Sequence, residues 1–264
     1  MAKPIDFRTD IAWSKPDRIT VKGYDLCSEI LGVMSLGDMA FLELTDRLPN
    51  ERESAVFNAI AVTLVEHGLT PSAIVARMTY AGAPEAMQAA IAAGISGLGT
   101  VFVGSMETAA RMLQEASETG DPAAIAADIV ADFKKRRRVV PGLGHHFHKP
   151  VDPRAPRLFE IAAANGFAGR HTALMQAIAV ESERQFQKPL QVNATGAIGA
   201  IASELGIPWN IVRGIGVMAR AIGLVGHIRE EIKRPIAREI KRRSEIAALS
   251  HILSEDEARA AAGE

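Results

Sequence analysis

The chain has 264 residues, 48% hydrophobic and 23% charged, a globular balance that excludes a disordered chain. Lysine plus arginine number 30 against 31 acids, a net charge of -1, which argues against a general nucleic-acid partner. A single cysteine, Cys27, rules out an intrachain disulfide; the opening MAKPIDFRTDIAW has no long apolar stretch, and no uncharged apolar run reaches about 18 residues, so a soluble, cytoplasmic protein with no membrane contact is expected.

In chain order, the first candidate element is one short extended pair at residues 17–22. Asn50 then precedes Glu51, Arg52 and Glu53, an N-cap with acids in the first turn. Val56, Ile60 and Leu64 follow at helical spacing, and Gly68 ends the pattern. Pro84 and Glu85 open a small-residue helix, PEAMQAAIAAG. Asp121 and Pro122 open another, which closes on five cations at 134–138. Further helices are expected near Pro156, His171, Thr195 and Asn210. Aromatics make up only 5%, and alanine, leucine and isoleucine suit closely packed helices, so the chain reads as all-α. No repeat or low-complexity linker divides it. The densest Gly and Pro punctuation lies at 139–156, with a weaker break at 94–105.

The segment VVPGLGHHFHKPVDPRAP concentrates groups able to do chemistry. Gly142, Leu143 and Gly144 make a turn whose backbone N–H groups a ligand can approach, since glycine has no side chain to block it. His145, His146 and His148 can exchange protons near neutral pH. Arg154 can grip a carboxylate at two points. The bland alternative is a histidine-rich surface turn with a solvated arginine. A metal site is disfavoured, because adjacent histidines cannot all face one ion and no Cys pair or HExxH helix accompanies them. The cations at 134–138 complement a helix dipole, or one or two of them grip phosphates.

His67 closes a periodic helix, where it caps carbonyls or meets a ligand. Arg220 lies inside the apolar run GIGVMARAIGLVGHI and must be paired or bind an anion. His227 stands two turns further along the same face. Its i,i+4 relation to Glu231 reads as a helical pair or cap ahead of a chelate. Residues 214–216, GIG, follow no strand and are no dinucleotide fingerprint.

Together these segments resemble the citrate synthase superfamily, and within it the citryl-CoA lyase branch, which also forms the C-terminal part of ATP-citrate lyase. The resemblance spans nearly the whole chain. It runs through residues 18–49, LVEHGLTPS (64–72), GLGTVFVGSMETAARML (97–113), the PGxGH…DPR signature of 139–158, VNATGAIGAIASELGIP (192–208) and MARAIGLVGHIREEIKRP (218–235). It implies an all-α fold with a large domain, 1–105 with 205–264, and a small domain, 106–204, around a cleft. It also implies a homodimer or higher homo-oligomer. Coenzyme A, as acyl-CoA substrate or product, would lie along Val139, Val140, Pro141, Gly142, Leu143 and Gly144. His145 would polarise the oxaloacetate carbonyl, Arg154 and Arg220 would clamp carboxylates, and His67 would bind a hydroxyl or carboxylate. No metal is required.

Two departures from the family pattern stand out. The synthases carry a histidine near Val103 and Gly104 that this chain lacks, which favours lyase over synthase. Aligning Asn193 puts Thr195 where the family has an aspartate base, and a threonine hydroxyl is no base at neutral pH. Either His67, His227 or a glutamate substitutes, or the reaction differs. The leading expectation is retro-Claisen cleavage of citryl-CoA, or a related 3-hydroxy-3-carboxyacyl-CoA, to acetyl-CoA and oxaloacetate. The alternatives are citrate or 2-methylcitrate synthase-type condensation of an acyl-CoA with a 2-oxoacid, and a non-catalytic CoA-ester-binding dimer. The chain has no room for ATP-using activating modules, so a separate CoA ligase or transferase would supply the thioester.

Overall fold

The computed structural model describes residues 8–144, 150–252 and 254. It is an all-helical architecture with one small sheet, as the composition predicts. Strands β1 (Ala12–Lys15), β2 (Arg18–Val21) and β3 (Tyr24–Asp25) form an antiparallel meander, with Trp13 opposite Thr20 and Val21 opposite Tyr24. The expected extended pair covers β2. All four β1 residues are exposed, so that strand has no apolar alternation by which to be seen. A π-turn at Leu26–Ile30 follows, capped by the Asp25 carboxylate.

Eleven α-helices follow among the described residues, most with recognisable starts. A Ser35–Asp38 capping box opens α1 (Leu36–Thr45). Asn50 Oδ1 accepts from the Arg52 and Glu53 amides to open α2 (Glu51–Val65). Pro71 starts α3 (Pro71–Gly82), and α4 (Met87–Ser96) begins three residues after Pro84, because Ala86 keeps a non-helical backbone. The weak break at 94–105 separates α4 from α5 (Gly104–Gln114). Asp121 caps α6 (Pro122–Lys135) as expected. The remaining helices are α7 (Arg154–Ala164), α8 (Arg170–Phe186), α9 (Ala194–Glu204), α10 (Trp209–Lys233) and α11 (Ala237–Leu249). Helix α11 is polar on nearly every face and buries only Ala237, which is why periodicity does not announce it.

The helices fall into two compact units. Unit 1 comprises residues 1–63 and 104–214, and unit 2 comprises 64–103 and 215–264. This grouping differs from the 1–105 with 205–264 and 106–204 division drawn from the resemblance: here residues 1–63 cluster with 104–214. In unit 1, α9 lies against α5, α7 and α8, and α6 packs on α8. Leu113, Val130, Leu174, Met175 and Ile178 form its core. In unit 2, Ala73 and Ala76 of α3 pack with Leu224, flanked by Ile91 and Ile95 of α4. Helix α10 is long and apolar enough to cross a membrane by composition, yet half of the qualifying window is buried inside the protein and Arg220 sits within it. It reads as a core helix.

Small residues set the helix spacing. A Cβ on Gly199 would lie 2.9 Å from both Ala110 N and Met106 O, which are backbone atoms of α5. Gly199→Ala therefore forces α5 and α9 apart. Overpacking of this kind costs about 1–3 kcal/mol, so the thermal midpoint is expected to fall by several degrees, as differential scanning calorimetry would register.

Candidate active site

In unit 1 the glycine turn is pinned to the start of α9. Gly142 has φ +82 and Gly144 φ +68, conformations that glycine adopts without strain. Leu143 bridges Val192, Gly144 N–H donates to Gln191 O at 2.8 Å, and Asn193 N–H donates to Gly142 O at 2.9 Å. Asn193 Nδ2 donates to Gly144 O at 2.5 Å, while its Oδ1 accepts from the Thr195 and Gly196 amides at 3.0 and 3.1 Å. One asparagine thus caps α9 and ties it to the turn. Gly142 and Gly196 touch backbone to backbone: a Cβ on Gly142 would lie 2.5 Å from Gly196 Cα.

This geometry corrects the expectation that the turn opens its N–H groups to a ligand. Gly142 and Leu143 are buried, and the Gly144 amide is already used. Gly142 serves the close approach of two backbones, and Gly144 supplies a positive φ. The exposed edge of the turn is Val139, with Val140 buried and Pro141 and Gly144 half-buried.

Asp152 completes the junction. Its Oδ1 accepts from Arg154 N at 3.2 Å and Nε at 2.9 Å, and its Oδ2 from Arg154 Nη2 at 2.9 Å and Ala194 N at 3.0 Å. One buried carboxylate therefore sits at the N-termini of both α7 and α9, where the helix dipoles favour an anion. Burial pushes its pKa up, but the Arg154 guanidinium and the Ala194 and Arg154 amides outweigh that and hold it at about 2. The two-point grip expected of Arg154 is thus made on Asp152, with 27% of the arginine side chain exposed. Thr195 Oγ1 donates to Asn193 Oδ1 at 2.7 Å and sits in the first turn of α9.

Unit 2 holds the other candidates. Arg77, 1% exposed, donates through Nε to His227 Nδ1 at 3.1 Å and through Nη1 to Glu231 Oε2 at 3.0 Å, and it also pairs with Glu230. Glu231 Oε1 accepts from the Ile236 and Ala237 amides at 2.9 Å and so starts α11. His227 Nε2 lies 2.9 Å from Glu66 Oε1, which also accepts from the His67 and Gly68 amides at 2.8 and 3.0 Å. Arg220 Nη1 stands 3.7 Å from the same oxygen. Burial raises the Glu66 carboxyl, but the His67 amide, His227 and Arg220 outweigh it and leave it below its ordinary value. Burial lowers the Arg220 guanidinium, and Glu66 opposes that. A surface cavity of about 440 Å³ opens beside this cluster, lined by Glu66, Gly68, His227, Glu230, Lys233 and Arg234 among others.

His227 and Arg220 thus share a face, as their spacing predicts, and meet at Glu66. The expected His227–Glu231 pair is instead bridged by Arg77. His67 is exposed just beyond α2. Of the cations at 134–138, Lys134 holds Gln185 O at 2.7 Å and Arg136 pairs with Asp132, so these two are engaged within unit 1. His145, His146 and His148 lie outside the described residues. Among the described residues, no group of three or more His, Cys, Asp or Glu could hold a metal ion.

Sequence reasoning passed over Asn193, Asp152, Arg77 and Glu66 as functional positions. Arg77 carried the signal already used for Arg220, a lone cation in an apolar helix, SAIVARMTY.

The Asp152 network makes stability depend on pH. Its carboxyl falls from 3.8 unfolded to about 2 folded, so the stabilisation is present above about pH 4 and is lost as pH drops towards 2. The difference amounts to about 2 kcal/mol. Asp152→Asn is expected to be destabilised at pH 7 and to lack this acid limb, as urea unfolding at pH 7, 4 and 2.5 would measure against the parent.

Comparison with known proteins gives a consistent result. The "Citrate synthase, C-terminal domain" family matches residues 21–242. The structure of citryl-CoA lyase from Hydrogenobacter thermophilus superposes with a TM-score of 0.80 at 34% identity, covering 87% of this chain and 88% of that one. ATP citrate lyase from Methanothrix soehngenii, in complex with citrate and coenzyme A, shares the fold at TM-score 0.73 and 23% identity, over 88% of this chain and 40% of that one. A curated citrate synthase from Haloferax volcanii is 28% identical over 198 residues, 72% of this chain and 51% of its own length. The chain spans between 22% and 59% of the length of the curated relatives it matches. By the match across residues 21–242, this chain belongs to the citrate synthase C-terminal domain family.

Proposed function

We propose that the chain is a citryl-CoA lyase-type enzyme that cleaves citryl-CoA, or a related 3-hydroxy-3-carboxyacyl-CoA, to acetyl-CoA and oxaloacetate. The observation that carries this reading is the 34% identity to a citryl-CoA lyase over nearly the full length of both chains. The pinned turn at 139–144 and the Asp152-held Arg154 support it, since they give the DPR signature a rigid seat.

The reaction is a retro-Claisen cleavage. The citryl hydroxyl loses its proton, its oxygen becomes the oxaloacetate carbonyl, and the carbon–carbon electron pair moves onto the acetyl-CoA fragment. Protonation of that enolate yields acetyl-CoA. In this proposal His145 meets the citryl hydroxyl and the nascent carbonyl, and His67 supports it. The exposed part of Arg154 and the guanidinium of Arg220 hold carboxylates, and coenzyme A runs along the Val139 edge of the turn. Donors preset at the developing negative charge supply most of the rate enhancement. In this proposal the chain works as a homodimer or higher oligomer in the cytoplasm, fed by a separate CoA ligase or transferase.

The base of this scheme is neither Thr195 nor Asp152. Thr195 donates its hydroxyl to Asn193. Asp152 is excluded, because four donors saturate it and its pKa lies near 2. Thr195 favours a second reading, a CoA-ester-binding protein without citrate chemistry. The similarity to citrate synthases favours a third, condensation of an acyl-CoA with a 2-oxoacid.

Two assays separate the three. Citryl-CoA with malate dehydrogenase and NADH reports oxaloacetate, and a thiol reagent with acetyl-CoA and oxaloacetate reports condensation. NADH consumption is expected, and His145→Ala should lower it by about 10²–10⁴ with an unchanged far-ultraviolet circular dichroism spectrum. Wild-type turnover by His145→Ala would remove that residue from the mechanism. A large gain in citryl-CoA cleavage by Thr195→Asp would show that the native chain has moved away from that reaction. No turnover in either assay, with coenzyme A binding retained, would establish the second reading.

A further inference from the structure

We infer that Arg77, His227 and Glu66 form a positioning chain that holds Arg220 ready for a ligand carboxylate, and that His227 works as a positioning residue, neither acid nor base. The inference rests on the reading of Arg220 as a carboxylate-binding group. It sets aside one of the alternatives, that His227 stands in for the missing aspartate.

The wiring follows from donor inventories. A guanidinium has donors only, so Arg77 Nε, at 3.1 Å, requires a lone pair on His227 Nδ1. The ring proton therefore sits on Nε2 and is donated to Glu66 Oε1 at 2.9 Å. Both ring nitrogens are engaged, one by a cation and one by an anion, in a side chain 8% exposed. Proton exchange with a ligand would have to break one of these bonds.

Glu66 in turn does two things. Its Oε1 accepts from the His67 and Gly68 amides as well as from His227, which fixes the turn that carries His67. Three donors occupy that oxygen, so Arg220 Nη1 stays at 3.7 Å, beyond hydrogen-bond reach. Among the described residues, Arg220 Nε and Nη1 are buried without a hydrogen-bond partner. Glu66 thus compensates the charge of Arg220 without consuming these donors. A buried arginine normally spends its donors, because unmatched ones are costly. The Arg77–Glu231 arm differs: it starts α11 and ends there.

Two measurements on the full chain decide the matter. Arg77→Gln strands the buried Glu231 and is liable to unfold the protein, so the variants of choice are His227→Gln and His227→Leu. A glutamine amide can accept from Arg77 and donate to Glu66, whereas leucine can do neither. Long-range proton–nitrogen NMR of histidine-labelled wild type, assigned by the signal lost in His227→Gln, is expected to show His227 protonated at Nε2 with a bare Nδ1. Calorimetric titration with oxaloacetate is expected to give His227→Gln an affinity within about threefold of wild type, and His227→Leu one roughly tenfold or more weaker. A ring protonated at Nδ1, a tautomer mixture, failure of glutamine to rescue, or wild-type affinity in the leucine variant each overturns the inference. If the wild type binds no oxaloacetate, the reading of Arg220 is what fails, and the tautomer spectrum alone then decides the wiring.

Discussion

The arrangement in unit 1 depends on one close contact, the backbone of the 139–144 turn against the first turn of α9. Only a glycine at 142 and another at 196 allow it, since a Cβ on either would collide with the other's backbone. The contact brings two helix N-termini and a turn together, a region rich in unsatisfied N–H groups. Asn193 and Asp152 satisfy them. The asparagine amide serves both the turn and α9, and the carboxylate serves α7, α9 and the Arg154 fork. Positive helix ends and a guanidinium around one anion make that carboxylate a strong acid and an anchor, unsuited to proton transfer.

Unit 2 solves a different problem, a fully buried cation. Arg77 would be untenable alone in an apolar helix bundle. Helix α10 supplies Glu230, Glu231 and His227 to it, and each partner then has a second engagement or a solvent-facing side. The desolvation cost of the pair is offset by hydrogen bonds on both oxygens of Glu231. What distinguishes the histidine arm is that it passes on, through Glu66, to an arginine whose Nε and Nη1 have no hydrogen-bond partner among the described residues.

The helical class was legible because alanine-rich periodic segments and caps such as Asn50 and Asp121 state it locally. The resemblance to citryl-CoA lyases was legible because the PGLG and DPR motifs and the Arg220 helix keep their order. The roles within those motifs were harder to see. Arg154 was expected to grip a ligand, and the structure shows two of its nitrogens held by Asp152, two residues away. Gly142 and Gly144 were expected to open amides to a ligand, yet one is buried against α9 and the other's N–H is already paired. His227 was paired with Glu231 by helical spacing, while its partners come from α3 and the end of α2. These are tertiary facts, set by residues up to 161 positions apart.

By itself, then, the sequence determined the helical class, the family and the short list of chemically capable side chains, because caps, periodicity and motif order are local properties. Which of those side chains are spent on structure, and which keep donors without a partner among the described residues, only the tertiary structure decided. A hydrogen bond is settled by who arrives within about 3 Å, and for Arg154, His227 and Arg220 the arriving groups come from packing that spacing along the chain does not encode.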